Sequence, residues 1–256
     1  MDEIKTSSVD FGGVFDVDES LVPVRDPKQA SQSSVNFDGL LATPLVLQED
    51  LKEGCGGQLW PAGMVLAKYL LRQHRTSLAN NSIIELGSGG GLVGLAVAQG
   101  CQIGPSPVFI TDQAPMLPLM KTNIKLNSLS HLVTAKTLNW GEPVPDYIPK
   151  TPTIILAADC VYFEPAFPLL ISTLKDLLGP KSICYFCFRK RRRADLRFLK
   201  MARKLFDFDE VQDDPDAESY RRENIFLYTI RLKNSRDVIL TQQRFKFAKQ
   251  DCSNGN

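Results

Sequence analysis

From residue 81 onward, short apolar runs alternate with stretches whose apolar positions recur every three or four residues. The runs at 82–86, 108–112, 132–136, 153–158, 182–188, 206–211 and 224–231 predict strands; the stretches at 92–99, 115–127, 165–178 and 194–205 predict helices. The runs at 153–158 and 182–188 are nearly all apolar or lightly polar, as central parallel strands covered on both faces must be. The alternation predicts an α/β fold: an open, Rossmann-like, seven-stranded, mostly parallel sheet with helices on both faces. The last two strands are joined by the acidic loop 213–218 without a predicted helix, so they are expected to be antiparallel. Pro115 and Pro118 place the real start of the helix after Asp112 near Leu117 or Pro118, because an interior proline removes a helical hydrogen bond.

Upstream, Met64, Leu66, Ala67, Leu70 and Leu71 predict an amphipathic helix from Pro61 to about residue 74. Residues 35–50 alternate partially (Val35, Phe37, Leu40, then Leu45, Val46, Leu47) and predict a hairpin, a small N-terminal extension on the sheet. Residues 1–34, rich in Ser, Asp and Pro, read as a flexible lead with a local strand at 13–17; residues 236–256 read as a C-terminal extension with an edge strand at 241–247. The expected organisation is therefore a lead (1–34), a hairpin and helix packed on the core (35–74), an α/β domain (75–235) and the extension (236–256).

Composition narrows the class. With 256 residues the chain can build one substantial core, and its 30 basic against 29 acidic residues imply no bulk attraction to nucleic acid or membrane. The six cysteines form no zinc-finger spacing with His74 and His131. Cys184 and Cys187, three apart in one strand, fall on opposite faces and read as buried reduced thiols. No stretch reaches the ~18 apolar residues of a membrane span, and the acidic, polar start does not resemble a signal peptide. A cytoplasmic, reducing location and a monomer are the expectation.

The candidate chemistry centres on Ile83-Ile84-Glu85-Leu86-Gly87-Ser88-Gly89-Gly90-Gly91-Leu92-Val93-Gly94: a buried strand ending in a carboxylate, a glycine turn and a helix N-terminus. Gly89, Gly91 and Gly94 satisfy the dinucleotide pattern G-x-G-x-x-G, but a carboxylate at Glu85 repels a pyrophosphate and suits a cation. S-adenosylmethionine carries no phosphate, and its methionine end bears an ammonium and a sulfonium. Asp112 ends the next strand, where a carboxylate can accept both ribose hydroxyls or cap the following helix. A phosphate-binding P-loop is excluded, since no Gly-Lys-Ser/Thr follows the glycines.

Four blocks then carry a family resemblance: Leu59-Trp60-Pro61-Ala62, Glu85 to Gly91, Leu138-Asn139-Trp140, and Ala158-Asp159-Cys160-Val161-Tyr162. On these the chain resembles the class I, seven-stranded S-adenosylmethionine-dependent methyltransferases, and more closely the protein-lysine methyltransferases of methyltransferase family 16. Within that family it is most similar to fungal enzymes acting on translation elongation factor 1-alpha. The resemblance implies S-adenosylmethionine as cofactor and a lysine of a folded protein, elongation factor 1-alpha, as acceptor. It implies a cofactor seat of Trp60, Glu85, Gly87, Ser88, Gly89, Asp112, Asn139, Trp140 and Ala158, with Trp140 at the adenine and Glu85 toward the methionine end. It places Asp159 and Tyr162 in the catalytic site. Each also has a plain structural reading: core anchors for the tryptophans, turn glycines, and helix capping for Asp159.

The chemistry fits those residue types. A carboxylate can orient an arriving lysine ammonium, and an aromatic wall can hold its cationic head. Proton loss can go to water, so no strong general base is required. The run Arg189-Lys190-Arg191-Arg192-Arg193 reads first as a solvated loop entering the 194–205 helix, with an acidic face of a protein substrate as its functional alternative. Residues 35–47 are expected to contribute to a rim around the lysine channel. Two other functions compete: methylation of a small-molecule amine or a nucleic-acid base, and a catalytically idle cofactor-binding interaction module.

Overall fold

The computed structural model describes residues 31–50 and 57–233. The predicted strands at 13–17 and 241–247 lie outside the described residues. A two-stranded hairpin, β1 (Ser31–Val35) and β2 (Leu45–Glu49), precedes α1 (Pro61–Gln73). The sheet is then built from β3 (Ile83–Leu86), β4 (Val108–Asp112), β5 (Val133–Thr137), β6 (Ile154–Ala158), β7 (Ile183–Arg189), β8 (Phe206–Glu210) and β9 (Ile225–Leu232). The helices between them are α2 (Leu92–Gly100), α3 (Leu117–Leu126), α4 (Phe167–Leu177), α5 (Arg193–Ala202) and α6 (Ala217–Arg222). The spatial order is β5-β4-β3-β6-β7-β9-β8; β9 pairs antiparallel with both neighbours and the other pairs are parallel.

Side chains of the central strands alternate between two cores, as the period of two requires. Ile83, Ile154, Leu156, Tyr185 and Cys187 face α1, α2 and α3, while Ile84, Leu86, Ile155, Ala157, Cys184, Phe186 and Phe188 face α4 and α5. Cys184 and Cys187 do fall on opposite faces, and both are buried free thiols. The helix after Asp112 begins with a short 3-10 turn over Ala114–Met116, and its α-helical part starts at Leu117, where the prolines direct it.

Three expectations need correction. The first hairpin strand lies at Ser31–Val35, inside the predicted lead, with Ser31 opposite Glu49 and Val35 opposite Leu45. It is an exposed edge strand held by backbone pairing, so it carries no apolar alternation to read. Phe37, assigned to that strand, instead sits in the following turn at φ +52 with its ring buried. A short helix, α6, does separate β8 from β9; Lys68 and Arg72 of α1 dock its acidic approach loop, Arg72 lying 2.8 Å from Asp216 and 3.2 Å from Asp214.

The other edge of β2 is closed by side chains. Asn123 of α3 and Asn127 at its C-cap, one turn apart, act as amide mimics of a neighbouring strand. Val46 and Gln48 donate backbone N–H to their Oδ1 atoms, each at 2.8 Å, and the Nδ2 groups donate back to the Val46 and Gln48 carbonyls. Asn123 Nδ2 also donates to the Gly90 carbonyl at 2.9 Å, which ties the hairpin to the glycine turn.

Candidate active site

Strand order reverses direction between β3 and β6: from β3 the chain runs outward through β4 and β5, and from β6 outward through β7. Ligands in open α/β sheets bind beyond the carboxyl ends at such a switch point. Here the glycine turn after β3 stands on one side of that crevice and the Asp159–Tyr162 turn after β6 on the other. Cys160, between them, donates its buried thiol to the Leu86 carbonyl at 3.3 Å, and burial pushes that thiol well up, so it stays protonated.

The glycine turn spends its own donors. Ser88 N–H goes to the Thr111 carbonyl (3.0 Å), Gly89 N–H to Asp112 Oδ2 (2.8 Å), Gly91 N–H to the Ser88 carbonyl (2.7 Å) and Gly94 N–H to Glu85 Oε2 (2.8 Å). A dinucleotide loop aims such donors at a pyrophosphate. Here four of those donors are used inside the protein, which suits a nucleoside ligand without phosphate, as S-adenosylmethionine is. Glycine is sterically required in this segment. Gly87 has φ +58, and a Cβ there would meet the Trp140 ring at 2.8 Å; a Cβ at Gly94 would lie 2.4 Å from Ile110.

The predicted residues fall into three groups. Gly87, Ser88 and Gly89 form the turn, Asp112 sits behind it, and Trp140 packs over Gly87 from the β5 side. Asp112 uses both oxygens, Oδ1 accepting Gln113 N–H at 2.7 Å; burial raises its carboxyl above the ordinary carboxylate range and the two N–H groups oppose that. The Asp112 carbonyl accepts Leu138 N–H at 2.9 Å, which brings the Asn139-Trp140 turn alongside, and Asn139 itself donates to Glu142 at 3.1 Å. Ala158 ends β6 and Trp60 is the N-cap of α1. The Glu49 end of β2 approaches this region, where Glu49 accepts Leu59 N–H at 3.3 Å, while Leu45 and Leu47 are core residues.

Glu85 is set deeper. It is 3% exposed, with its Oε2 turned to the N-terminus of α2, whose own N-cap Gly91 has no side chain. Burial is the main reason its carboxyl is pushed up to about 8, against the pull of the Gly94 and Val93 N–H groups. The folded protein therefore keeps this proton up to about pH 8, whereas an unfolded glutamate releases it near ~4.3. Between those values the folded state binds more protons, so this group's contribution to stability is greatest below the lower value and is lost as pH rises. Glu85→Gln keeps a carbonyl for Gly94 and cannot ionise. It is expected to melt near the wild type at about pH 5 and increasingly above it toward about pH 8.5. Thermal denaturation across that range checks this; parallel curves would mean Glu85 is ionised in the fold.

Asp159 is 5% exposed and sits at φ +53, a left-handed conformation that aspartate tolerates better than most residues. It does not cap the helix that follows. Its Oδ1 accepts Arg189 N–H at 3.0 Å, and Arg191 holds both its oxygens in a bidentate pair, each contact 3.1 Å. Tyr162 and Phe163 are 62% and 57% exposed at the mouth of the crevice.

The basic run is a largely exposed loop entering α5, as expected, but its backbone and two of its guanidinium groups are tethered to the fold. Lys190 N–H donates to the Asn224 carbonyl, and Arg191 and Arg192 N–H both donate to the buried Asp195 carboxylate at 2.8 and 2.9 Å. The Arg191 guanidinium lies 5.1 Å from the Trp60 ring centroid, and Arg192 donates to the Tyr162 carbonyl. Arg191 is the site residue that sequence reasoning missed. The available signal was a cationic run leaving the strand next to the one that carries Asp159. Among the described residues no group of three or more His, Cys, Asp or Glu could hold a metal, and no helix is long and apolar enough to cross a membrane.

A family model described as lysine methyltransferase matches residues 41–205. The chain is 36% identical over 244 residues to the protein-lysine N-methyltransferase EFM6 of Saccharomyces cerevisiae, a match spanning 86% of this chain and 97% of that protein. It is 33% identical over 210 residues to the protein N-lysine methyltransferase METTL21A of Danio rerio, spanning 80% of this chain and 93% of that one. The corresponding mouse protein is 31% identical over 195 residues, spanning 75% and 84%.

Proposed function

The chain belongs to the lysine methyltransferase family, and from that premise we propose that its acceptor is a lysine on the folded surface of translation elongation factor 1-alpha, methylated in the cytoplasm. The activity is S-adenosylmethionine-dependent methylation of a lysine in a protein substrate. The observation that carries our reading of the site is that the internally bonded glycine turn and the Asp159–Tyr162 turn follow the two adjacent strands, β3 and β6, that flank the switch point.

S-adenosylmethionine supplies, when bound, an electrophilic methyl on a sulfonium. The chain's residues do the rest. Asp112 has one lone pair left on each oxygen after its two N–H partners, enough for a ribose diol. Trp140, packed over Gly87, presents an aromatic face suited to adenine, with Asn139 beside it. Trp60 and Ala158 line the crevice next to the turn. Glu85 acts on the cofactor's methionine end indirectly, by fixing the start of α2. Asp159 keeps one lone pair on Oδ2 after its three hydrogen bonds, and this orients the acceptor amine. Asp159 is committed to Arg191 and the Arg189 N–H, and the amine's proton leaves to water. The Tyr162 ring walls the path of the lysine methylenes.

The mouth supports a protein acceptor. Tyr162, Phe163, Leu169 and Leu196 are exposed at or just after the carboxyl ends of β6 and β7, beside Arg192 and Arg197. An apolar patch rimmed by charge is the mark of a protein-binding surface. Recognition of a surface of roughly 800 Å² per partner selects one lysine by its setting. Intact elongation factor is therefore expected to be methylated far better than a short peptide carrying the same lysine, and the lysine-to-arginine factor not at all. Label incorporation at equal concentrations decides it: equal peptide labelling defeats the folded-surface account, and labelling of a different lysate protein instead discards the named acceptor.

A further inference from the structure

We propose that Arg191 is a positioning residue for methyl transfer, which locks the acceptor-side carboxylate of Asp159 and the ring of Trp60 into one unit. The inference rests on the reading of Asp159 and Trp60 given above.

The geometry is specific. Arg191 makes two parallel hydrogen bonds to Asp159, 3.1 Å to each oxygen, and its guanidinium lies 5.1 Å from the Trp60 ring centroid. Trp60 is the N-cap of α1 and Asp159 follows β6, about a hundred residues later in the chain. Arg191 thus bridges the two segments on which cofactor and acceptor depend. A guanidinium suits this task because its planar fork matches a carboxylate on one edge while its face lies on an aromatic ring. A lysine offers neither.

Arg191 is itself held from both ends. Its backbone N–H donates to Asp195, which is fully buried, and the same oxygen takes the Arg192 N–H. Asp195 sits in the first turn of α5, where a carboxylate is favoured. On the far side Arg189 N–H reaches Asp159, and the Arg192 side chain reaches the Tyr162 carbonyl. The start of α5 therefore grips the Asp159–Tyr162 turn at its first and last residues. Asp159 stands at φ +53, a conformation that the chain holds only while neighbours impose it. Without Arg191 its carboxylate keeps one backbone donor and is free to swing. Transfer from a sulfonium needs in-line approach, and a misplacement of about 1 Å can cost about 10²-fold in rate.

The test compares Arg191→Ala, Arg191→Lys and Asp159→Ala in the full chain, with cofactor affinity, melting temperature, kcat and KM for the protein acceptor measured for each. The chain has two tryptophans, so the same Arg191 variants in a Trp140→Phe background report Trp60 by fluorescence. Arg191→Ala is expected to lower kcat by about 10²-fold, to leave KM within about threefold, and to shift Trp60 emission as the cation leaves the ring. Arg191→Lys should recover only part of kcat, because charge returns without the bidentate geometry. Guanidinium ion at low millimolar concentration should raise kcat of Arg191→Ala and not of Asp159→Ala. Arg191→Ala with wild-type kcat, or a change confined to KM or to melting temperature, overturns the inference while Asp159→Ala remains inactive. A fully active Asp159→Ala protein overturns the reading of the site itself.

Discussion

Asp159→Asn is expected to abolish or nearly abolish methyl transfer while leaving cofactor affinity within a few-fold of the wild type. Asparagine is the informative substitution. It keeps the side-chain volume and tolerates the left-handed φ of +53, so the turn can persist. It turns one acceptor of the Arg191 fork into an NH2 donor facing a cation, which breaks the bidentate pair. Asp159→Ala should be as inactive and less stable, because alanine in a left-handed conformation costs roughly 1–2 kcal/mol. Single-turnover rates at saturating cofactor, with affinity measured separately by calorimetry, tell chemistry from binding. Tyr162→Phe in the same assay divides the roles of that residue. Much retained activity assigns the ring alone, and a loss of ~10²-fold or more assigns the hydroxyl to the proton path or to a positioned water. A folded, fully active Asp159→Asn protein would remove the carboxylate from the site.

Asp112→Ala is expected to weaken S-adenosylmethionine binding by about 10²-fold or more. The residue does two jobs at once. It accepts Gly89 N–H at 2.8 Å, which holds the glycine turn closed, and on the proposed reading its remaining lone pairs take the ribose hydroxyls. Two hydrogen bonds to a charged group, at roughly 1.5–3 kcal/mol each, set the size of the loss. The fold should survive, since Asp112 ends β4 and lies at the edge of the core. Calorimetry with the cofactor and its demethylated product, beside circular dichroism of the free protein, checks both halves. Unchanged affinity in a folded variant would move the ribose site elsewhere.

Much of this architecture was written in local pattern. The seven strands and the helices α1 to α5 begin and end within about three residues of the positions read from periodicity, because buried parallel strands and amphipathic helices announce themselves by where apolar residues recur. The glycine turn was legible for the same local reason. Its restriction to a phosphate-free ligand was argued from the charge of Glu85, and the structure corrects that reason: burial keeps the Glu85 carboxyl protonated and turned to α2, and it is the use of the Ser88, Gly89, Gly91 and Gly94 N–H groups inside the protein that disfavours a phosphate. The strand Ser31–Val35 was not legible. Its residues pair through backbone atoms on an exposed edge, and no side-chain pattern records such pairing.

What the sequence by itself determined is therefore whatever depends on neighbours along the chain: element types, the glycine turn, the carboxylates that end β3 and β4, and the Asp159-x-x-Tyr162 turn after β6. What only the tertiary structure decided is pairing across the chain. Glu85 faces a helix N-terminus instead of an open pocket because α2 folds back over β3. Asn123 and Asn127 finish the hairpin because α3 lies beside it. Arg191, which as sequence is one cation among five, meets Asp159 and Trp60 because β7 neighbours β6 in the sheet and α1 packs across them. Such contacts join residues distant in sequence, and their partners are set by strand order and helix placement, which no short-range pattern encodes.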